Sequence, residues 1–196
     1  VNEPSLKGNE LKYLTECITS GWISSEGPFV EKFEKEFADR VDRKMGIAVS
    51  NGTAALELSV AALGIGTGDE VIIPSFTIIS CASAIIRCGA KPVLVDCDRK
   101  TWNMSVEQVA EKITNKTRAV LAVHIYGLPV DMDPLLTLCA KHGILLIEDA
   151  AEAIGLEYRN RPCGGFGDIS AFSFYANKHV TMGEGGFVAV NDSALA

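Results

Sequence analysis

Ala119-Val-Leu-Ala-Val123, Met132-Asp-Pro-Leu-Leu-Thr-Leu-Cys-Ala-Lys-His142 and Ile144-Leu-Leu-Ile-Glu-Asp149 follow one another in the second half of the chain. The first and third are short, continuous aliphatic runs, as strands buried on both faces require, and the segment between them is long enough for a helix. Two buried strands joined by a helix form a βαβ unit and run parallel. The alternation continues outward. Gly46-Ile-Ala-Val49 precedes a predicted helix over Thr53–Leu63, Glu70-Val-Ile-Ile73 one over Ile78–Cys88, and Pro92-Val-Leu-Val95 one over Val106–Ile113. Downstream, Ile169-Ser-Ala-Phe-Ser-Phe174 and Gly186-Phe-Val-Ala-Val190 read as two further strands with a glycine-rich link. Upstream, Leu11, Leu14 and Ile18 mark a helix over Lys7–Thr19, and Phe29, Phe33, Phe37 and Val41 mark another over Phe29–Val41. The expected fold is α/β, a mainly parallel central sheet covered by helices.

The 196 residues carry 25 acidic and 18 basic side chains, a net charge of −7, and are 47% hydrophobic. That is enough apolar material for a sizeable core, which excludes a disordered or collagen-like chain. An acidic chain without a basic block speaks against nucleic acid or an anionic membrane as partner. The apolar runs are too short to span a bilayer and no charged-then-apolar leader opens the chain, so a soluble, cytoplasmic protein is expected. The six cysteines and three histidines show no metal-ligand spacing, and the cysteines read as free thiols packed as small hydrophobes. The chain starts at Val1, and Asn191-Asp-Ser-Ala-Leu-Ala196 reads as a helix cap and first turn, so a piece of a longer protein is expected.

In an open α/β sheet, ligands collect beyond the carboxyl ends of the strands, where helix N-termini also point. Three stretches in such positions carry chemistry. Ser50-Asn-Gly-Thr-Ala-Ala55 opens a helix with small polar residues, either as plain caps or as N–H and hydroxyl donors to an anion. The strand before Glu148 and Asp149 ends in two carboxylates; Asp149 either caps a following helix or holds a positive charge on a ligand, with Glu152 on the same helical face. Lys178 follows an aromatic strand and precedes Gly183-Glu-Gly-Gly186; it is either a solvated lysine or an amine nucleophile. An anion-binding helix start, a carboxylate and a lysine are together the parts that pyridoxal phosphate needs, for its phosphate, its pyridinium nitrogen and its aldehyde.

At these residues the chain resembles the DegT/DnrJ/EryC1/StrS sugar aminotransferases, of fold type I among the pyridoxal phosphate enzymes. The resemblance runs through Gly21-Trp-Ile-Ser-Ser25, Ser50–Thr53, Gly68–Thr77, Pro92–Asp96, His124-Ile-Tyr-Gly127, Ile147–Glu152 and Phe172–Lys178. It implies that residues 1–196 form the three-layer, cofactor-binding large domain, the N-terminal part of a longer chain whose C-terminal small domain is absent. It implies Lys178 as the lysine that carries the cofactor as a Schiff base, Asp149 as partner of the pyridine nitrogen, and Glu152 as partner of the phenolic oxygen. Gly52, Thr53, Ala54 and Ser173 correspond to phosphate ligands. Ile78 stands where relatives usually carry an aromatic residue stacked on the ring. The resemblance further implies a homodimer, glutamate as amino donor, and a nucleotide-sugar substrate, most closely a GDP-linked 4-keto-6-deoxy sugar aminated at C4. Two other readings stand beside it: a sugar-dehydrating relative, although those replace the lysine with histidine, and an inactive fragment serving as a scaffold.

Overall fold

The computed structural model describes residues 3–195. Helices α1 (Glu10–Ser20) and α2 (Pro28–Arg40) lead into β1 (Met45–Val49), α3 (Gly52–Ala62), β2 (Glu70–Pro74), α4 (Ile79–Arg87) and β3 (Lys91–Val95). Then come α5 (Val106–Lys112), β4 (Thr117–Val123), α6 (Met132–His142) and β5 (Leu145–Asp149). A short hairpin of β6 (Glu157–Tyr158) and β7 (Arg161–Pro162) precedes β8 (Ile169–Ser173) and β9 (Gly186–Val190). Seven strands form one sheet in the order β1-β9-β8-β5-β4-β2-β3. β3, β2, β4, β5 and β8 pair parallel, while β9 runs antiparallel to both of its neighbours, β8 and β1.

Strand alternation divides the core into layers, because successive side chains point to opposite faces. Val71 and Ile73 of β2, Leu121 of β4 and Ile147 of β5 pack with Leu56 and Val60 of α3 and Ile85 of α4. Ile72, Val120 and Leu146, one residue out of phase, pack on the other face with Val109 of α5 and Leu135 of α6. α2 covers the β8–β9 end of that face through an aromatic cluster in which Phe37 meets Phe172, Phe174 and Phe187 edge-on at 4.9–5.2 Å. Pro28 begins α2, Asn51 caps α3 by accepting from Ala54 N–H at 2.9 Å, and Gly143 ends α6 in the left-handed conformation.

Two expectations are corrected. No helix follows Asp149: Ala150 N–H is held by Ala171 O of β8 at 2.9 Å, and the chain then makes tight turns, with Ala153 N–H on Ala150 O and Leu156 N–H on Ala153 O, before the β6–β7 hairpin. Neighbouring-strand pairing thus overrides a helix start, and Glu152 does not share a helical face with Asp149. Near the other end, Asn191 is not a cap, since its side chain accepts from Lys44 N–H at 3.0 Å; Asp192 instead closes a single turn through Ala194 N–H at 2.9 Å. Ala196 lies outside the described residues. Among those residues no helix is long and apolar enough to cross a membrane.

Candidate active site

β5 ends in adjacent carboxylates that the pleat sends to opposite faces of the sheet. Glu148 turns toward the α2 side and is fully buried. Its Oε1 accepts from Phe166 and Gly167 N–H at 2.6 Å and from Arg43 Nη2 at 3.4 Å; its Oε2 accepts from Gly164 N–H at 2.8 Å and His124 Nε2 at 3.1 Å. Burial pushes the Glu148 pKa up, but these donors and the Arg43 charge outweigh it and hold the carboxyl below its ordinary range.

Asp149 turns toward α4. It is 2% exposed, with Oδ2 accepting from the Cys81 thiol at 3.2 Å and Oδ1 from Ala151 N–H at 3.0 Å. Burial dominates here and pushes its pKa up, only partly offset by those two donors and by the charge of Lys178. Lys178 sits on the loop from β8 to β9, which folds back on itself: Phe174 N–H donates to Gly185 O and Met182 N–H to Phe174 O, each at 2.9 Å. Lys178 Nζ donates to Glu152 Oε1 at 3.3 Å, while Glu152 Oε2 accepts from Tyr126 N–H at 2.8 Å.

The N-terminus of α3 forms the third wall. Gly52 and Thr53 N–H have no acceptor among the described residues, and the Thr53 hydroxyl lies 2.9 Å from that of Ser80. A side chain on Gly52 would come within 2.7 Å of Ser173 Cβ, so the absence of one lets β8 and the helix start close together.

These walls enclose two adjoining cavities of about 260 and 560 Å³, which share Ile78, Asp149, Ala151, Asn177 and Lys178. Glu152 lines the first; Gly52, Thr53, Ala54 and Ser173 line the second. All eight residues singled out in the sequence therefore border one cleft at the carboxyl ends of the strands. Ala54 does so with its N–H already given to Asn51, which leaves Gly52 and Thr53 as the free backbone donors. Ser80, Asn177, His124 and Cys81 also reach the cleft or touch its carboxylate, and sequence reasoning missed them. Ser80 and Cys81 lie in the segment after β2, at a strand's carboxyl end, which was the available signal.

The donor set fits pyridoxal phosphate. Free N–H groups and hydroxyls line one cavity, the amine and the buried carboxylate line both, and that carboxylate is costly to ionise until a cationic N–H faces it. Fold and cleft together are those of the fold type I pyridoxal phosphate class. The chain belongs to the DegT/DnrJ/EryC1/StrS aminotransferase family, which matches residues 4–196. It is 51% identical over 195 residues to GDP-perosamine synthase of Vibrio cholerae, covering 100% of this chain and 53% of that protein. The X-ray structure of the aminotransferase from Psychrobacter cryohalolentis superimposes with a TM-score of 0.93 at 40% identity, over 100% of this chain and 50% of that one. Spr1654 from Streptococcus pneumoniae, in its PLP form, superimposes with a TM-score of 0.92 at 30% identity, over 98% of this chain and 53% of that one. The chain thus spans about half the length of the curated relatives it matches.

Proposed function

We propose that the protein containing this chain is a pyridoxal phosphate-dependent aminotransferase that moves an amino group from glutamate to C4 of a nucleotide-linked 4-keto-6-deoxy sugar, in the manner of GDP-perosamine synthase. The observation that carries the reading is that the Lys178 amine and the Asp149 carboxylate, 29 residues apart in sequence, line one cleft bordered by the α3 N-terminus. Gly52 and Thr53 N–H, with the Thr53 and Ser173 hydroxyls, hold the phosphate, and Ala54 walls it. Asp149 keeps a proton on the pyridine nitrogen, Glu152 accepts or shares the proton of the phenolic oxygen, and Ile78 packs its aliphatic side chain against the ring face. Bound there, the cofactor supplies an electron sink that no side chain can provide. Lys178 would anchor the cofactor covalently and, once its amine is free, would deliver a proton to C4 of the sugar, a carbonyl carbon that has none of its own. The same reading makes the protein a cytoplasmic homodimer.

The test uses the full-length protein. Pyridoxal phosphate should turn it yellow, glutamate should bleach the colour, and a GDP-linked 4-keto-6-deoxy sugar should restore it while yielding the amino sugar. Lys178→Ala should take up no colour that sodium borohydride can fix to the protein. A colourless wild type, or covalent fixation that survives Lys178→Ala, sinks the reading. A sugar dehydrated without loss of the glutamate nitrogen would assign the dehydratase chemistry instead.

A further inference from the structure

Asp149 leaves β5 on the face of the sheet that α4 covers, and the α4 residue that meets it is Cys81. The thiol is fully buried, 3.2 Å from Asp149 Oδ2 and 3.2 Å from Thr77 Oγ1. An ionised carboxylate has no proton to give, so Cys81 S–H donates to Asp149 and its sulfur accepts from the Thr77 hydroxyl. Burial and the neighbouring carboxylate push the thiol pKa far up, which keeps it a donor and unreactive. On the other side Oδ1 is held by Ala151 N–H at 3.0 Å. Each oxygen therefore has one protein donor, and its remaining lone pairs are available to the cleft that Asp149 lines.

We infer that Cys81 is a positioning residue for Asp149: its thiol, steadied by Thr77, fixes the rotation of the carboxylate so that a ring N–H entering the cleft meets an acceptor already aimed at it. The terminal torsion of an aspartate is broad when nothing holds it. A backbone donor on one oxygen limits that torsion from one side only, and the thiol limits it from the other. A thiol is also a weak donor, so it orients the carboxylate without neutralising the charge that a pyridinium needs. The inference rests on the proposed pairing of Asp149 with the cofactor nitrogen.

Two substitutions in the full-length protein separate donor from volume. Cys81→Ser keeps a donor at a reduced volume; Cys81→Ala loses the donor at about the same reduced volume. Pyridoxal phosphate affinity, read from cofactor absorbance, should stay within about threefold of wild type for Cys81→Ser and fall about tenfold for Cys81→Ala, the loss of one hydrogen bond to a charged group. Equal effects, or the reverse order, overturn the inference. A second measurement needs no cofactor. The infrared S–H stretching band that disappears in Cys81→Ser should lie at low frequency in wild type and move up in Asp149→Asn; a band indifferent to Asp149→Asn also overturns it. If the wild type takes up no pyridoxal phosphate the functional reading fails, and the infrared comparison still decides the hydrogen bond.

Discussion

Glu148→Gln exchanges one carboxylate oxygen for an amide nitrogen at a site where every approach comes from a donor. If the new NH2 faces Gly164 N–H and His124 Nε2, two donors lose their acceptor; if it faces Phe166, Gly167 and Arg43, three do. His124 cannot adapt by moving its proton, because its Nδ1 accepts from Val130 N–H at 3.1 Å. Even the milder orientation leaves two buried donors unpaired at ~1–3 kcal/mol each, so ~2–6 kcal/mol is lost before Arg43 is considered. The Arg43 guanidinium, 2% exposed, would also lose its counter-charge, and stranding one partner of a buried pair costs about 3–5 kcal/mol by itself. Against a typical total of about 5–15 kcal/mol, most of the fold's stability is at stake. Urea unfolding of the full-length protein without cofactor should show a lower midpoint at unchanged slope. The deficit should also depend on pH. A carboxyl held below its ordinary value of 4.5 contributes stability above that value and loses it as pH falls through the folded-state pKa. The gap between wild type and Glu148→Gln should accordingly be full at neutral pH and narrow below the ordinary value. A variant within about 1 kcal/mol of wild type at neutral pH would refute the reasoning.

Asp149→Asn should do the opposite to the protein without cofactor. Its pKa is raised above the ordinary 3.8, so it stabilises only in acid and loses that contribution as pH rises; the variant should melt higher than wild type at neutral pH, lose the advantage in acid, and lack transamination. Gly186→Ala would set a Cβ 2.2 Å from Asn51 O and 2.9 Å from Gly52 N, backbone that cannot give way. It should lower the melting temperature by the equivalent of about 1–3 kcal/mol and weaken cofactor uptake together, since the shift is imposed on the start of α3. Ile78→Phe, at a half-exposed position shared by both cavities, should tighten cofactor binding several-fold, as a ring stacked on a ring adds about 0.5–1.5 kcal/mol; an unchanged dissociation constant would mean that residue 78 does not pack on the ring.

The central strands β2, β4 and β5 were legible because each is a largely aliphatic run buried on both faces, a pattern that needs no partner to be recognised. Helix α3 was legible from the small polar residues of Ser50–Ala55 that open it, and the cleft from the rule that ligands gather at strand carboxyl ends. What could not be read depends on pairings between distant residues. Arg43 looks like one more surface charge after α2 until Glu148, 105 residues on, is seen to sit beside it. Cys81 looks like a small hydrophobe until Asp149 is placed 68 residues later. The helix expected after Asp149 failed for the same reason: Ala150 N–H found an acceptor in β8, a strand that begins 19 residues downstream. The residue types were visible in the chain, but which of them shared a hydrogen bond was settled by the order of strands in the sheet.

Glu148 and Asp149 make that point within a single peptide unit. Both are carboxylates, adjacent and almost wholly buried, yet one is held below its ordinary pKa and the other is pushed above it. Burial acts on both in the same direction, so it cannot be the cause of the difference. The number of donors is: five reach Glu148, one of them a guanidinium, whereas two reach Asp149 and one of those is a thiol. Glu148 is therefore saturated, and the charge it carries is consumed in tying Arg43, His124 and the 164–167 loop beneath the sheet. Asp149 is left short of partners on the side that lines the cleft. A group kept in that state destabilises the empty protein and stabilises whatever cation enters beside it, so the same burial that weakens the fold at Asp149 is what gives the cleft its preference for a protonated ring nitrogen.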